Sequence, residues 1–85
     1  MRITFHKKFN KKFEKLPIKI QEKFYERLTI FGIDQFSEIL NNHYVHYPYE
    51  GCRSVNITGD VRALYEAVGD TVIFTHIGTH SELYN

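Results

Sequence analysis

The most constraining stretch of this sequence is residues 61–77, two apolar, β-favouring runs joined by Gly69-Asp70. Adjacent runs of this kind with a Gly-Asp pair between them predict a β-hairpin, Val61–Val68 against Thr71–Ile77. A further strand precedes it. Arg53–Ile57 alternates, with Val55 and Ile57 on one face and Ser54 and Asn56 on the other. Thr58-Gly59-Asp60 supplies the turn between them. His76 falls in alternation with Phe74 and Val72, which places it in the sheet packing. Polar residues gather at the strand ends and in the polar tail after them: Arg53, Asn56, Asp60, Arg62, His80, Ser81 and Tyr84. Reactive groups are commonly placed this way, at the ends of rigid strands.

Three strands with one apolar face need a cover, and the first part of the chain provides it. Arg2–Phe5 reads as a short first strand. Phe9, Phe13 and Leu16 recur at helical spacing across Lys7–Lys15, with lysines opposite. Pro17 suits the first turn of a second helix, which carries Ile20, Phe24, Leu28 and Phe31 and stops at Gly32. Asp34 then caps a short helix, Gln35–Leu40, which Asn41-Asn42 ends. His43–Glu50 lacks clean periodicity and reads as a loop or an irregular edge strand, limited by Pro48. The expectation is an α+β fold: an N-terminal helical hairpin packed on one face of a small, mostly antiparallel four-stranded sheet. The other sheet face is expected to stay open.

At 85 residues the chain is expected to be one domain, 1–85. A chain this short buries only about 60–65% of its unfolded surface, so its aromatic residues must supply much of the core. Cys52 is the single cysteine, which excludes an intramolecular disulfide and suits a reducing, cytoplasmic setting. The N-terminal stretch has charges throughout and no apolar core. No secretory signal and no membrane span are expected. Charge is lopsided: residues 1–27 hold nine Lys/Arg against three Glu, whereas the remainder is acidic. Lys8, Lys11, Lys12 and Lys15 are either a polyanion-binding face or a solvated helix surface.

The letters Gly51, Arg53, Ile57, Asp60, Tyr65, Gly78-Thr79-His80-Ser81, Leu83 and Tyr84 resemble the RelE/ParE superfamily of type II toxin–antitoxin toxins, in particular its YafQ-like branch. The closing GTHSELY is the most specific part of that resemblance. It implies a RelE-like fold and a ribosome-dependent endoribonuclease that cleaves messenger RNA without a metal or other cofactor. It also implies a cognate antitoxin partner, and an rRNA contact for the four lysines. The chemistry is attack of a ribose 2′-OH on the adjacent phosphate, which needs a base, an acid and a cationic group.

The resemblance implies that His80 is the general acid; otherwise it caps the final turn. It implies catalytic roles for Asp60 and His43, against a turn aspartate and an exposed loop histidine. Arg62 matches a phosphate-holding arginine of many RelE-like toxins. Arg53 is either a second substrate contact or a structural ion-pair partner. Tyr84 stacks on a base or packs on the sheet edge. Asn56 stands where the YafQ pattern has histidine; it can bind phosphate or sugar but cannot shuttle protons. His43, His46, His76, His80 and Asp60 lack the spacing of a metal site, and none is expected. Two other functions remain open: a ParE-like gyrase-inhibiting toxin without nuclease chemistry, and a catalytically weakened RelE-fold binding module.

Overall fold

The computed structural model describes residues 1–84. The elements are β1 (Arg2–Phe5), α1 (Lys7–Phe13), α2 (Ile18–Ile33), β2 (His43–Tyr44), β3 (Arg53–Asn56), β4 (Val61–Val68), β5 (Thr71–Thr79) and α3 (His80–Tyr84). The sheet order is β1-β5-β4-β3-β2. β1 runs parallel to β5, and every other pair is antiparallel. The sheet therefore has five strands rather than the expected four. The extra one is the two-residue β2, within the segment read as a loop or edge strand.

The predicted hairpin forms with Val68 opposite Thr71. Gly69 takes φ +60° at its first central position, a conformation that side chains resist. The helical cover is built as the spacing of its apolar residues requires. His6 opens α1 by accepting the Lys8 N–H on its ring Nδ1 at 3.0 Å. Gln21 of α2 donates to the carbonyls of Phe13 and Leu16 at 3.2 and 3.0 Å, which holds the end of α1 against α2. The helix continues past Gly32 to Ile33, because Asp34 N–H still bonds to Ile30. The expected helix over 35–40 shrinks to one tight turn, Glu38–Leu40. The Asp34 carboxylate bonds to Phe36 N–H in a local turn and opens no helix.

Phe74 is the centre of the main core. Its ring contacts those of Phe5, Phe9, Phe24, Phe31 and Tyr65, at centroid distances of 5.5 to 5.9 Å. Val55, Ile57, Val61, Ala63, Val72 and Ile77 extend this core along the helix-covered side of the sheet.

The opposite side is not fully open. A second cluster of Val45, Cys52, Leu64 and Leu83, with Tyr49 against it, closes its middle. The expected polar tail is the reason: residues 80–84 form α3, which folds back over the sheet and buries Leu83. Tyr49 donates its hydroxyl to the Leu83 carbonyl and pins the far end of that helix.

A one-residue irregularity decides what this second face carries. Tyr65 pairs with Phe74, but Leu64 pairs with His76, so Thr75 is an extra residue in β5. A bulge of one residue moves everything beyond it to the other face. Ile77, not His76, therefore joins Phe74 in the core. The alternation that placed His76 with Phe74 and Val72 is broken, and its imidazole lies on the side of Leu64.

Candidate active site

The strand register brings most of the candidate residues to one end of the second face. Opposed residues share a face, so His43, Ser54, Leu64 and His76 form one row across β2, β3, β4 and β5. Asn56, Arg62 and Gly78 form the next row. His43 is the diagonal neighbour of Asn56 across the β2–β3 pair. The β3–β4 turn carries Asp60 beside this second row. α3 begins at the same place, where the His80 N–H bonds to the Asp60 carbonyl at 3.3 Å. Asn56, Asp60, Arg62 and His80 are thus neighbours, with His43 flanking them.

Each has a local reason for its placement. The turn is built by Thr58, whose hydroxyl accepts the N–H groups of Asp60 and Val61 at 3.2 and 2.9 Å. Arg62 folds back on this turn, and Nη1 donates to the carbonyls of Thr58 and Gly59 at 3.2 and 3.1 Å. Asn56 keeps its Oδ1 buried, with no donor to it among the described residues. An acceptor left unpaired in this way costs stability and gains from any donor that a turn of the amide lets in. His43 is exposed, with its Nδ1 2.7 Å from the Asn41 carbonyl. The rings of His80 and Tyr84 pack at 4.8 Å with a tilt of 36°, one helical turn apart on α3. Tyr84 meets Tyr49 at 5.5 Å, and burial raises the pKa of its phenol.

Arg53 stands apart from this group. It opposes Tyr65, so it lies on the helix-covered side. There its guanidinium packs over the rings of Tyr44 and Phe36, at 4.0 and 5.2 Å. Its Nε donates to Asn42 Oδ1 at 2.7 Å. Asn42 in turn donates to the Tyr65 hydroxyl and the Gln35 carbonyl at 2.7 and 2.8 Å. The lysines also divide. Lys8, Lys11 and Lys15 are exposed, whereas Lys12 pairs with Glu82 of α3 at 2.7 Å.

On the other side of α3 a groove opens toward α1. Two cavities of about 260 and 300 Å³ share Lys8, Thr75 and His76. His76 packs against Tyr49 at 4.8 Å and has its Nδ1 2.9 Å from Thr75 Oγ1. Burial lowers its pKa, and the charges of Lys8 and His6 lower it further against the opposing charge of Glu66, which favours the neutral imidazole. Burial also pushes the Cys52 thiol up, which makes it a structural group.

Glu82 was not among the candidates read from the sequence, and His76 was weighed there only as sheet packing or a metal ligand. The bulge that turns His76 to this face has no signature in the letters around Thr75. Tyr49 acts through a long-range contact. Glu82 was legible: Thr79-His80-Ser81-Glu82 is a capping-box pattern that starts a helix.

A mixed five-stranded sheet of this order, covered by two helices, is a RelE-like fold of the kind seen in YafQ. The profile of the ParE toxin of type II toxin–antitoxin systems, parDE, matches residues 3–84, and the chain belongs to that family. Among solved structures, YafQ from E. coli strain BL21(DE3) superposes with a TM-score of 0.80 at 20% identity, covering 100% of both chains. The YoeB/ParE toxin from Agrobacterium tumefaciens gives 0.75 at 15% identity, covering 94% of this chain and 99% of that one. The E. coli DinJ–YafQ complex gives 0.71 at 19% identity, covering 100% of both. At these identities the likeness is one of fold. No curated protein matches the chain.

Proposed function

We propose that this toxin is a ribosome-dependent endoribonuclease that cleaves messenger RNA by 2′-OH attack on the adjacent phosphate. The observation that carries the reading is the meeting of His80, Asp60, Arg62 and Asn56 at one end of the sheet. These are an acid, a carboxylate, a guanidinium and an unpartnered acceptor. In the proposed reaction Asp60, assisted by His43, takes the proton from the 2′-OH. The 2′-oxygen bonds to phosphorus and the bond to the 5′-oxygen breaks. His80 gives its proton to that leaving oxygen, leaving a 2′,3′-cyclic phosphate and a 5′-hydroxyl. Arg62 leaves its turn carbonyls to hold the phosphate, where its charge offsets that of the transition state. Asn56 accepts a sugar hydroxyl on Oδ1. Tyr84, beside His80, receives a base.

The cognate antitoxin is the proposed protein partner, by analogy with the DinJ–YafQ complex. Exposed Lys8, Lys11 and Lys15 are proposed to face ribosomal RNA. Among the described residues no helix is long and apolar enough to cross a membrane.

Single-turnover cleavage of messenger RNA on a programmed ribosome tests the reading. His80→Ala is expected to lose 10²–10⁴-fold in rate, about 3–5 kcal/mol of barrier. Its folded state should survive, because the ring is exposed. A His80→Ala protein that cleaves as fast as the parent ends this proposal. Toxicity without any RNA cleavage points instead to the gyrase-inhibiting reading, which the ParE family match favours.

A further inference from the structure

The carboxylate of Glu82 holds the start of α3 from two directions. Its Oε1 accepts the Thr79 N–H at 2.8 Å, while Thr79 Oγ1 accepts the Glu82 N–H at 3.1 Å. This is a reciprocal capping box. Its Oε2 takes the ammonium of Lys12, in α1, at 2.7 Å. Gly78 leaves the room this needs: a Cβ there would stand 3.1 Å from Glu82 Oε1. Lys12 and the Thr79 N–H together hold the Glu82 carboxyl down at about 2.

α3 is five residues long. Helices that short do not persist unaided in water, so this one depends on what grips it. Leu83, in the small core, and the Tyr49 hydroxyl grip its far end. Its near end, which carries His80, is gripped by Glu82. Two residues along a helix is a turn of about 200°, so Glu82 points away from the His80 side. It touches no group of the proposed site and acts only through the placement of the helix.

We infer that Glu82, paired with Lys12, is a positioning residue that fixes the direction of the His80 imidazole. The inference rests on His80 being the proton donor of the proposed nuclease. It also gives Lys12 a different task from its neighbours: Lys12 ties α1 to α3, while Lys8, Lys11 and Lys15 stay available to a polyanion.

Three variants test it. Glu82→Gln keeps an oxygen for the capping box but drops the charge. Lys12→Met leaves the capping box whole. Lys12→Arg keeps the pair. The first readout is the NMR shift of the His80 ring protons, which the adjacent Tyr84 ring, 4.8 Å away, displaces. The second is the single-turnover rate and half-saturating ribosome concentration. Glu82→Gln and Lys12→Met are each expected to lose the displacement, and the double variant to lose no more than either. Their cleavage rates should fall tenfold or more, the scale of a small misplacement of a catalytic group, at unchanged half-saturation. Lys12→Arg should match the parent in both readouts.

An unchanged His80 shift in both single variants overturns the inference. So does a Lys12→Met effect confined to half-saturation, which makes Lys12 a ribosome contact. The nuclease reading is judged separately, by His80→Ala. If that protein cleaves normally, the catalytic role given to Glu82 falls with it, while the ring shift still decides whether the pair orients His80.

Discussion

At the scale of single residues, the two sides of the sheet use polar groups differently. On the helix-covered side Asn42 joins Arg53, Tyr65 and Gln35 in one closed network. Tyr65 is fully buried, so Asn42→Ala strands its hydroxyl. Such a loss costs about 1–3 kcal/mol, which a denaturant midpoint measured at constant slope will show. On the other side Asn56 leaves an acceptor unused. Asn56→His restores a group that can carry protons and is expected to raise the single-turnover rate at neutral pH. A drop in rate would mean that the amide is itself needed for substrate contact. The contrast between Arg53 and Arg62 was only half legible. Strand alternation separates them, since an odd and an even residue on β3 and β4 can face opposite sides. Which side was covered by helices followed from Val55 and Ile57, but the rings under Arg53 come from distant Phe36 and Tyr44.

At the scale of elements, α3 is the least self-sufficient piece, and its electrostatics predict how it responds to acid. The Glu82 pKa is lowered from 4.5 to about 2 in the folded protein. Its contribution is therefore full above the unfolded value and is lost as pH falls through the folded one. Amide protection in α3 is expected to persist at pH 5 and to fade toward pH 2, ahead of the core strands. Hydrogen exchange measured across that range checks this, and Glu82→Gln should flatten the dependence. The hairpin, β1 and the two covering helices were readable because their signals are local: period-2 runs, a Gly turn and a stripe at helical spacing. The β5 bulge, the two-residue β2 and the folding-back of α3 were not. They are fixed by long-range pairing and by burial of Leu83, which no short window of sequence contains. Of the site, its tail motif and turn residues were readable, and the groove around His76 was not.

At the scale of the whole molecule, one ring holds the two layers together. Phe74→Ala opens a cavity where five aromatic rings now meet, at a cost of about 3–5 kcal/mol, and thermal unfolding will report it. The basic helix surface predicts a second global property. Reversing the charges of Lys8, Lys11 and Lys15 together should weaken ribosome binding and flatten its dependence on salt, with the fold retained. Binding unchanged at every salt concentration would leave these lysines as solvated surface. The pairing of β1 with β5 has a consequence for how the toxin comes into being. Arg2 aligns with Thr71, so the earliest strand made waits for nearly the latest before it has a neighbour. Contacts that far apart in sequence close late and slowly. A nascent chain that stops short of β5 has its basic helices but lacks both the partner of β1 and the ring at the centre of its core. A chain stopped before β5 is therefore expected to stay unfolded and open to proteases, which limited proteolysis of a chain ending at Asp70 checks.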